Sequence, residues 1–352
     1  MKLKINKTSR TNFLTYGMVI LAYVVLQTMA NGGMLSSALK GQLVPICAYV
    51  VMALALNLTV GILGELSLGH AGFMSVGAFA GAVVASALQE AIPMGGLRLA
   101  VAMVIGAIIA AIAGVLIGVP VLRLNGDYLA IVTLAFGEII KSMVNNLYIG
   151  LDDRGLHSSF INNTISLEKG GRMILSGPMG VPGISKISTF TAGFVLIMIA
   201  LVVIFHLVNS RSGRAIMALR DNRIAAESVG INVTQYKLTA FVFSAALAGA
   251  AGVLFAMGQN TIIASKFDFN TSILILVFVV LGGQGRMWGS IIAAAALTVL
   301  PELLREFADY RMLVYAIVLI LVMLATNNPT LKGFFGQLFA KKEKEEKGGA
   351  AE

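Results

Sequence analysis

Residues 43–63 read LVPICAYVVMALALNLTVGIL, 21 positions without a charged side chain. A helix needs about 20 apolar residues to cross the hydrocarbon core of a bilayer, so this stretch is long enough for one crossing. Pro45 falls near its start, where a missing N–H is tolerated. Further apolar runs with few charges occupy 13–30, 71–88, 99–119, 128–149, 190–208, 239–257, 271–283, 289–304 and 312–326. The expected fold is all-α, a polytopic integral membrane protein of about ten transmembrane helices. The runs 271–283 and 289–304 are short. Gly282, Gly283, Gln284, Gly285 and Arg286 separate them, which predicts a tight hairpin or two half-spans.

Composition supports this. Of 352 residues, 57% are hydrophobic and 12% charged, about half the charged fraction of an ordinary soluble domain. A single soluble core of this size cannot bury so much apolar surface. A soluble enzyme, a disordered chain and a disulfide scaffold are excluded, and the one cysteine, Cys47, reads as buried packing. The net charge of +9 reads as cationic loops on the inner side of a membrane rather than as a nucleic-acid surface.

Alternating ten spans from an inner N-terminus places 16 of the 26 Lys and Arg inside and both termini in the cytoplasm. The first run follows Lys2, Lys4, Lys7 and Arg10. Its length and the poor cleavage site Thr28-Met29-Ala30 favour a retained span over a signal peptide. The organisation is then a cytoplasmic segment 1–12, a transmembrane domain 13–330 and a charged cytoplasmic tail 331–352. Within the domain lie a long external loop, 150–189, and a cationic cytoplasmic loop, 209–238.

Small residues four apart, Gly77/Gly81, Gly114/Gly118 and Gly285/Gly289, predict close helix packing. The glycine breaks at 61–72 and 282–289 hold comparable places in the two halves. Gly69 and Gly72 mark the first break, and Gly282, Gly283 and Gly285 the second.

Chemistry is sparse. No Gly-x-x-x-x-Gly-Lys-Ser/Thr occurs, so this chain cannot cradle ATP phosphates itself. Leu281-Gly282-Gly283-Gln284-Gly285 looks like the signature stretch of ABC ATPases, but it lies between apolar runs with no phosphate loop upstream and reads as a glycine break. His70, His157 and His206 are far apart, and no acidic or thiol ligand sits at metal spacing around them. No metal site, catalytic set or cofactor bound by this chain is expected. His70 reads as a cap or bridge across the first break. Glu65, Glu138 and Lys141 are the ionisable groups expected at membrane depth, and Glu138 and Lys141 stand three apart, where they can pair. So little buried charge argues for an energy source elsewhere and an apolar or net-neutral cargo.

The most informative stretch runs from Gly213 to Asn232. It reads as a short basic helix, then a helix capped by Asp221 or Asn222 and stopped by Gly230. Arg214, Arg220 and Arg223 can reach acidic groups, so the element reads as a docking helix for a cytoplasmic partner. Here the chain resembles the permease subunits of ABC importers for branched-chain amino acids, specifically the M-type. Arg214, Arg220, Ala225, Ala226, Gly230, Ile231 and Asn232 stand where that family's coupling motif would place them. Leu66 to Phe73, Leu124 to Ile139, Gly177 to Gly183 and the pair Trp288-Gly289 are similar to the family as well, and the likeness covers roughly residues 40–330.

The resemblance implies a five-part machine in a bacterial or archaeal plasma membrane. This permease would pair with a homologous second permease as a heterodimer. Two cytoplasmic ABC ATPases would hold ATP and Mg, and an extracytoplasmic binding protein would deliver leucine, isoleucine or valine. ATP-driven closure would act on a coupling loop containing Arg214, Arg220, Asp221, Ala225, Ala226, Glu227 and Gly230. A passage of small apolar residues would carry the side chain, with Ser67, His70, Thr133 and Glu138 offering polar groups. The same architecture carrying urea, short amides or another amino acid is the alternative, followed by a secondary transporter and, lastly, a membrane enzyme.

Overall fold

The computed structural model describes residues 7–304, apart from 125, 153, 154 and 161–170, with the single positions 313, 316, 317 and 320. The apolar run 312–326 and the tail 331–352 lie largely or wholly outside the described residues. The chain divides into units Met1–Ala296 and Leu297–Glu352, and the first holds the loops and helices that form the site.

Among the described residues, seven helices are long and apolar enough to cross a membrane. They are α1 (Lys7–Asn31), α2 (Ser37–Asn57, prolonged by a π-helix Leu58–Leu63), α3 (His70–Ala87), α4 (Gly95–Val121), α5 (Asp127–Asn145), α6 (Phe190–Asn209) and α9 (Val233–Ala256). Between α6 and α9 lie α7 (Arg211–Asp221) and α8 (Arg223–Ser228). Two shorter apolar helices follow, α10 (Phe269–Gly282) and α11 (Met287–Leu303), joined by the glycine break 283–286. Two short helices separated by the glycine break, as expected there, are present.

Three boundaries differ from the sequence expectation. The run 128–149 ends as a helix at Asn145, because the chain turns at Asn146 into a strand. Helix α9 begins at Val233 rather than 239, capped by Asn232, whose Oδ1 accepts from the Gln235 N–H at 3.2 Å. Pro45 lies inside α2 rather than at its end. It lies past the first turn, and having no N–H it leaves the carbonyl four residues back, that of Gly41, without its usual intrahelical donor.

The long loop after α5 carries a small antiparallel sheet that the sequence reading lacked. Strands β1 (Tyr148–Asp152), β2 (Gly155–Ser159) and β3 (Arg172–Ser176) lie in the order β2-β1-β3. Tyr148 pairs with Ser159 on one side and Ser176 on the other. Leu175 is fully buried, and the Arg172 guanidinium donates to the Ser86 carbonyl at the end of α3 (2.7 Å). A turn at Gly177–Gly180 then leads into a bridge between Val181 and Ile262.

Helix α9 is the hub, packed against α2, α3 and α4. The predicted pairs Gly77/Gly81 and Gly114/Gly118 face it, whereas Gly285 and Gly289 lie against Gly61 and Gly282. A Cβ on Gly77 would lie 2.3 Å from the Gly249 Cα, and one on Gly114 2.7 Å from the Ala245 Cβ. Without a hydrophobic force between helices in lipid, such close backbone approach supplies the dispersion contact that holds them. Helix α1 leaves most of its length exposed and leans on α6 through Tyr23, which stacks on Phe194 with ring centres 4.2 Å apart. The exposed residues Val104, Ile108, Ile112 and Leu116 form an apolar stripe along α4.

Loops gather by end. Residues 58–69, 210–232 and 283–286 meet at one end of the bundle, through Arg220, Glu65 and Asn57. Residues 86–98, 171–189 and 257–264 meet at the other, through Arg98, Arg172 and Ile262.

Candidate functional site

The break between α2 and α3 is the most polar region inside the bundle. The last turn of α2 widens into the π-helix Leu58–Leu63 and stops at Gly64, whose φ of +82° suits a residue without a Cβ. Such widened turns often mark functional sites in helices. From Gly64 to Gly69 the chain is irregular, and its polar side chains Glu65 and Ser67 bond within the bundle, to Lys237 and His70.

His70 is fully buried and bridges two elements. Its Nε2 lies 2.7 Å from the Ser244 hydroxyl, and its Nδ1 2.9 Å from that of Ser67. Ser244 donates to the Ala55 carbonyl (2.5 Å), so the Ser244 oxygen accepts from the Nε2–H of His70. In the neutral ring that leaves Nδ1 to accept from Ser67. The chain from Ser67 through His70 and Ser244 to Ala55 ties the break to α9 and back to α2. Thr133 fastens the same segment to α5. Its hydroxyl accepts from the Leu68 N–H (3.1 Å) and donates to the Ala130 carbonyl (2.9 Å). A Cβ on Gly69 would meet the Thr133 carbonyl carbon at 2.8 Å, and one on Gly72 would meet the Gly137 Cα at 3.0 Å. Both glycines let α5 lie directly on the break.

Glu138 stands apart from Ser67, His70 and Thr133. It is half-exposed and pairs with Lys141 at 3.0 Å, as its spacing predicted. It shares the exposed face of α5 with Ile131, Ala135 and Ser142.

The two glycine breaks interlock through Asn57, a residue the sequence reading passed over inside an apolar run. Its Oδ1 accepts from the Gly285 N–H (2.8 Å), and its Nδ2 donates to the Ser290 hydroxyl (3.0 Å). A Cβ on Gly61 would lie 2.8 Å from the Gly285 Cα, so the two backbones touch. Gly282 and Gly289 approach as closely, since a Cβ on Gly282 would meet the Gly289 carbonyl carbon at 2.5 Å. Gly283 and Gly285 both take positive φ at the turn. A buried amide in an apolar run must be satisfied somewhere, and that signal could have found Asn57. Replacing Asn57 with Ala strands the buried partners, and about 2–4 kcal/mol of destabilisation is expected. A thermal melt of the purified chain would show it, and an unchanged midpoint would remove Asn57 from this role.

Lys237 is the second residue the sequence reading misplaced. It is buried in α9 rather than exposed in a loop, and it forms an ion pair with Glu65 of the break. A buried charge left without its partner is strongly destabilising, so the pair holds the break on α9.

The 209–232 segment follows the expected pattern and refines it. Ser210 caps α7, its Oγ accepting from the Gly213 N–H (3.1 Å). Asn222, not Asp221, caps α8, accepting from the Ala225 N–H (3.0 Å). Gly230 ends the segment at φ +86°, with the Ile231 N–H returning to the Ala226 carbonyl (3.1 Å). Ala226 is buried, while Ile224 and Val229 are 80% and 76% exposed. Ala225 and Glu227 are also exposed.

The arginines do not all project outward. Arg214 donates to the Asn209 carbonyl (3.2 Å), and Arg223 pairs with Glu227 (3.1 Å). Arg220 turns inward. Its Nη1 donates to the Gly61 carbonyl (3.1 Å), while Asp221 accepts from its Nε and Nη2 (3.1 and 2.9 Å). Its Cγ would sit 2.6 Å from a Cβ on Gly64. One side chain thus joins the loop helices to the π-helix of the break.

The geometry is that of a membrane bundle with a polar helix break wired to an exposed helical loop at one end. Among the described residues no three His, Cys, Asp or Glu gather as a metal site. A sequence profile of the family described as "Branched-chain amino acid transport system / permease component" matches residues 38–323. The chain belongs to that family, and it is a multi-pass membrane protein.

The chain is 38% identical over 290 residues to the high-affinity branched-chain amino acid transport system permease protein LivM of Salmonella typhimurium. That match covers 78% of this chain and 66% of the relative. LivM of Escherichia coli is also 38% identical, over 286 residues and the same shares. The ribose import permease protein RbsC of Escherichia coli is 27% identical over 287 residues, 79% of this chain and 81% of its own. The chain spans just under two thirds of the length of the LivM relatives. No solved structure gives a significant match.

Proposed function

We propose that the chain is the permease subunit of an ABC importer that moves branched-chain amino acids inward, driven by ATP hydrolysis on separate ATPase chains. The observation that carries the reading is the 211–230 element. It presents the exposed apolar residues Ile224 and Val229 on a cationic end of the bundle and is bonded through Arg220 to the helix break. A merely solvated loop needs neither. The identity to LivM, 38% against 27% for the ribose permease, favours leucine, isoleucine and valine over the urea, amide or other amino-acid alternatives.

In this reading the 211–230 end is cytoplasmic, as the concentration of arginine there suggests, and the membrane is a bacterial or archaeal inner membrane. Two ABC ATPases carrying ATP and Mg dock on α8, with Ala225, Ala226 and Glu227 at or under the contact. The chain itself binds no cofactor and catalyses no reaction. A homologous second permease covers part of the exposed apolar surface of α4 or α5, and a binding protein delivers cargo at the end that carries the β-sheet. The path follows the face of α5 that bears Ile131, Ala135 and Glu138. Ser67, His70 and Thr133 sit behind it and couple the break to it. Domain limits at 13–330 and a cytoplasmic tail 331–352 complete the arrangement.

Deleting the chain from its host is expected to abolish an ATP-dependent, high-affinity component of radiolabelled leucine uptake, restored by complementation. In a host without a second leucine system, unchanged uptake would move the cargo to the alternatives. Gly230→Leu places a side chain at φ +86°, where an L residue is strained by roughly 1–2 kcal/mol. It should leave the chain inserted, detectable by immunoblot, while lowering leucine uptake. Wild-type uptake by this variant would argue against α8 as the docking helix.

A further inference from the structure

A cavity of about 390 Å³ opens at the arginine-rich end, bordering the interlocked breaks at Ile62 and Gly285. Asn12, Asn209, Arg286 and Trp288 line it, together with Ile62 of the π-helix. A second groove of about 280 Å³ shares Asn12 and Asn209 and continues along α1 and α6 between Phe13, Tyr16 and Val202. The combination is amphipathic: the first space adds the Arg286 guanidinium to the two amides, and the second sets Phe13, Val202 and Phe205 beside Tyr16 and His206.

Its depth is set by the chain itself. Asn12 opens the apolar stretch of α1, Asn209 closes α6, and Arg286 sits between two apolar helices. Each marks the level where apolar helix gives way to polar loop, the headgroup level of a bilayer. Trp288 is 43% exposed there, a residue type that favours that level. The lining of both spaces contains a cation and no carboxylate. Lys2, Lys4, Lys7 and Arg10 immediately precede Asn12 in sequence. Volumes of roughly 300–1,000 Å³ suit a small organic ligand, and a glycerophosphate headgroup is of that class.

We propose that this cleft binds the phosphate headgroup of an anionic phospholipid, with Arg286 as its cation, Asn12 and Asn209 as hydrogen-bond donors and the α1/α6 groove as the seat of an acyl chain. The occupant touches Ile62 and Gly285, so it contacts the two interlocked breaks from the lipid side. The site does not depend on what the chain transports.

The test titrates the purified full chain, in neutral detergent, with phosphatidylglycerol or phosphatidylcholine and counts bound lipid by native mass spectrometry. Phosphatidylglycerol should be retained in preference. Arg286→Gln should lower that preference about fivefold, the effect of one cation near a charged headgroup. Arg286→Lys should restore it. Arg211→Gln, which removes an exposed cation at the same end but outside the cleft, should leave it unchanged. Should Arg286→Gln fail to fold, Asn12→Asp on the peripheral helix α1 places an anion in the same cleft and should give the same loss. Equal retention of the two lipids by the unaltered chain would overturn the proposal, and so would equal losses in Arg211→Gln and Arg286→Gln. Displacement by glycerol phosphate alone would identify a free phosphate ester as the ligand and overturn the lipid assignment. Because the readout is bound mass, its failure is separate from any failure of the transport reading.

Discussion

A Gly249→Leu chain is expected to reach the membrane but not to form a packed bundle. Helix α9 holds α3 and α4 through this position. A Cβ there would stand 2.4 Å from the Ala110 Cβ and 2.9 Å from the Gly106 carbonyl. On the opposite side, a Cβ on Gly77 would meet the Gly249 carbonyl carbon at 2.5 Å, so α9 has no room to retreat from α4 without pressing on α3. Overpacking a core costs about 1–3 kcal/mol when side chains can move aside. Here helix backbones close both sides, and the loss should exceed roughly 3 kcal/mol, much of a typical margin of about 5–15 kcal/mol. Size-exclusion chromatography in detergent should show loss of the monodisperse peak. A chain that elutes and melts like the unaltered protein would mean that α9 is not the hub. Gly17, which has nothing within 4 Å of an added Cβ, serves as the tolerant control.

The second large effect is expected at Arg220. Its guanidinium is the direct bond between the 211–230 element and the π-helix, through the Gly61 carbonyl. Arg220→Gln is too short to keep that bond and loses the charge-assisted contact with Asp221. Hydrogen bonds to charged groups contribute about 1.5–3 kcal/mol, which corresponds to roughly 10–100-fold in any equilibrium they bias. On the proposed reading, in which ATP is hydrolysed on separate chains, leucine uptake should fall by about that factor while ATP hydrolysis by the assembled complex persists. Parallel loss of hydrolysis and uptake would indicate failed assembly instead. Uptake at the unaltered level would show that force reaches the break by another route. Glu65→Gln tests the neighbouring connection, since it leaves Lys237 buried without its counter-ion.

What the sequence made legible follows physical scale. Long apolar runs announced the helices, because a bilayer demands about 20 such residues in succession. The stop at Gly230 and the cap at Asn222 were local signals, readable within a few residues. The small-residue pairs on α3 and α4 were visible, but their common partner on α9 was not, since spacing says nothing about which helix arrives. The sheet at 148–176 escaped because its strands are five residues each and contain polar and glycine positions. Lys237 and Glu65 lie 172 positions apart, and no local pattern links them. The sequence points Arg220 outward to an acidic partner, and its inward bond to the Gly61 carbonyl has no sequence signature.

The most direct measurement of the central claim is leucine movement into proteoliposomes that hold this chain with the second permease, ATPases and binding protein that the proposed function requires. The account predicts accumulation against a gradient only when ATP is present on the ATPase side, and loss of accumulation with Arg220→Gln. Leucine that equilibrates without ATP, or a fully assembled complex that hydrolyses ATP and moves no branched-chain amino acid, would contradict it.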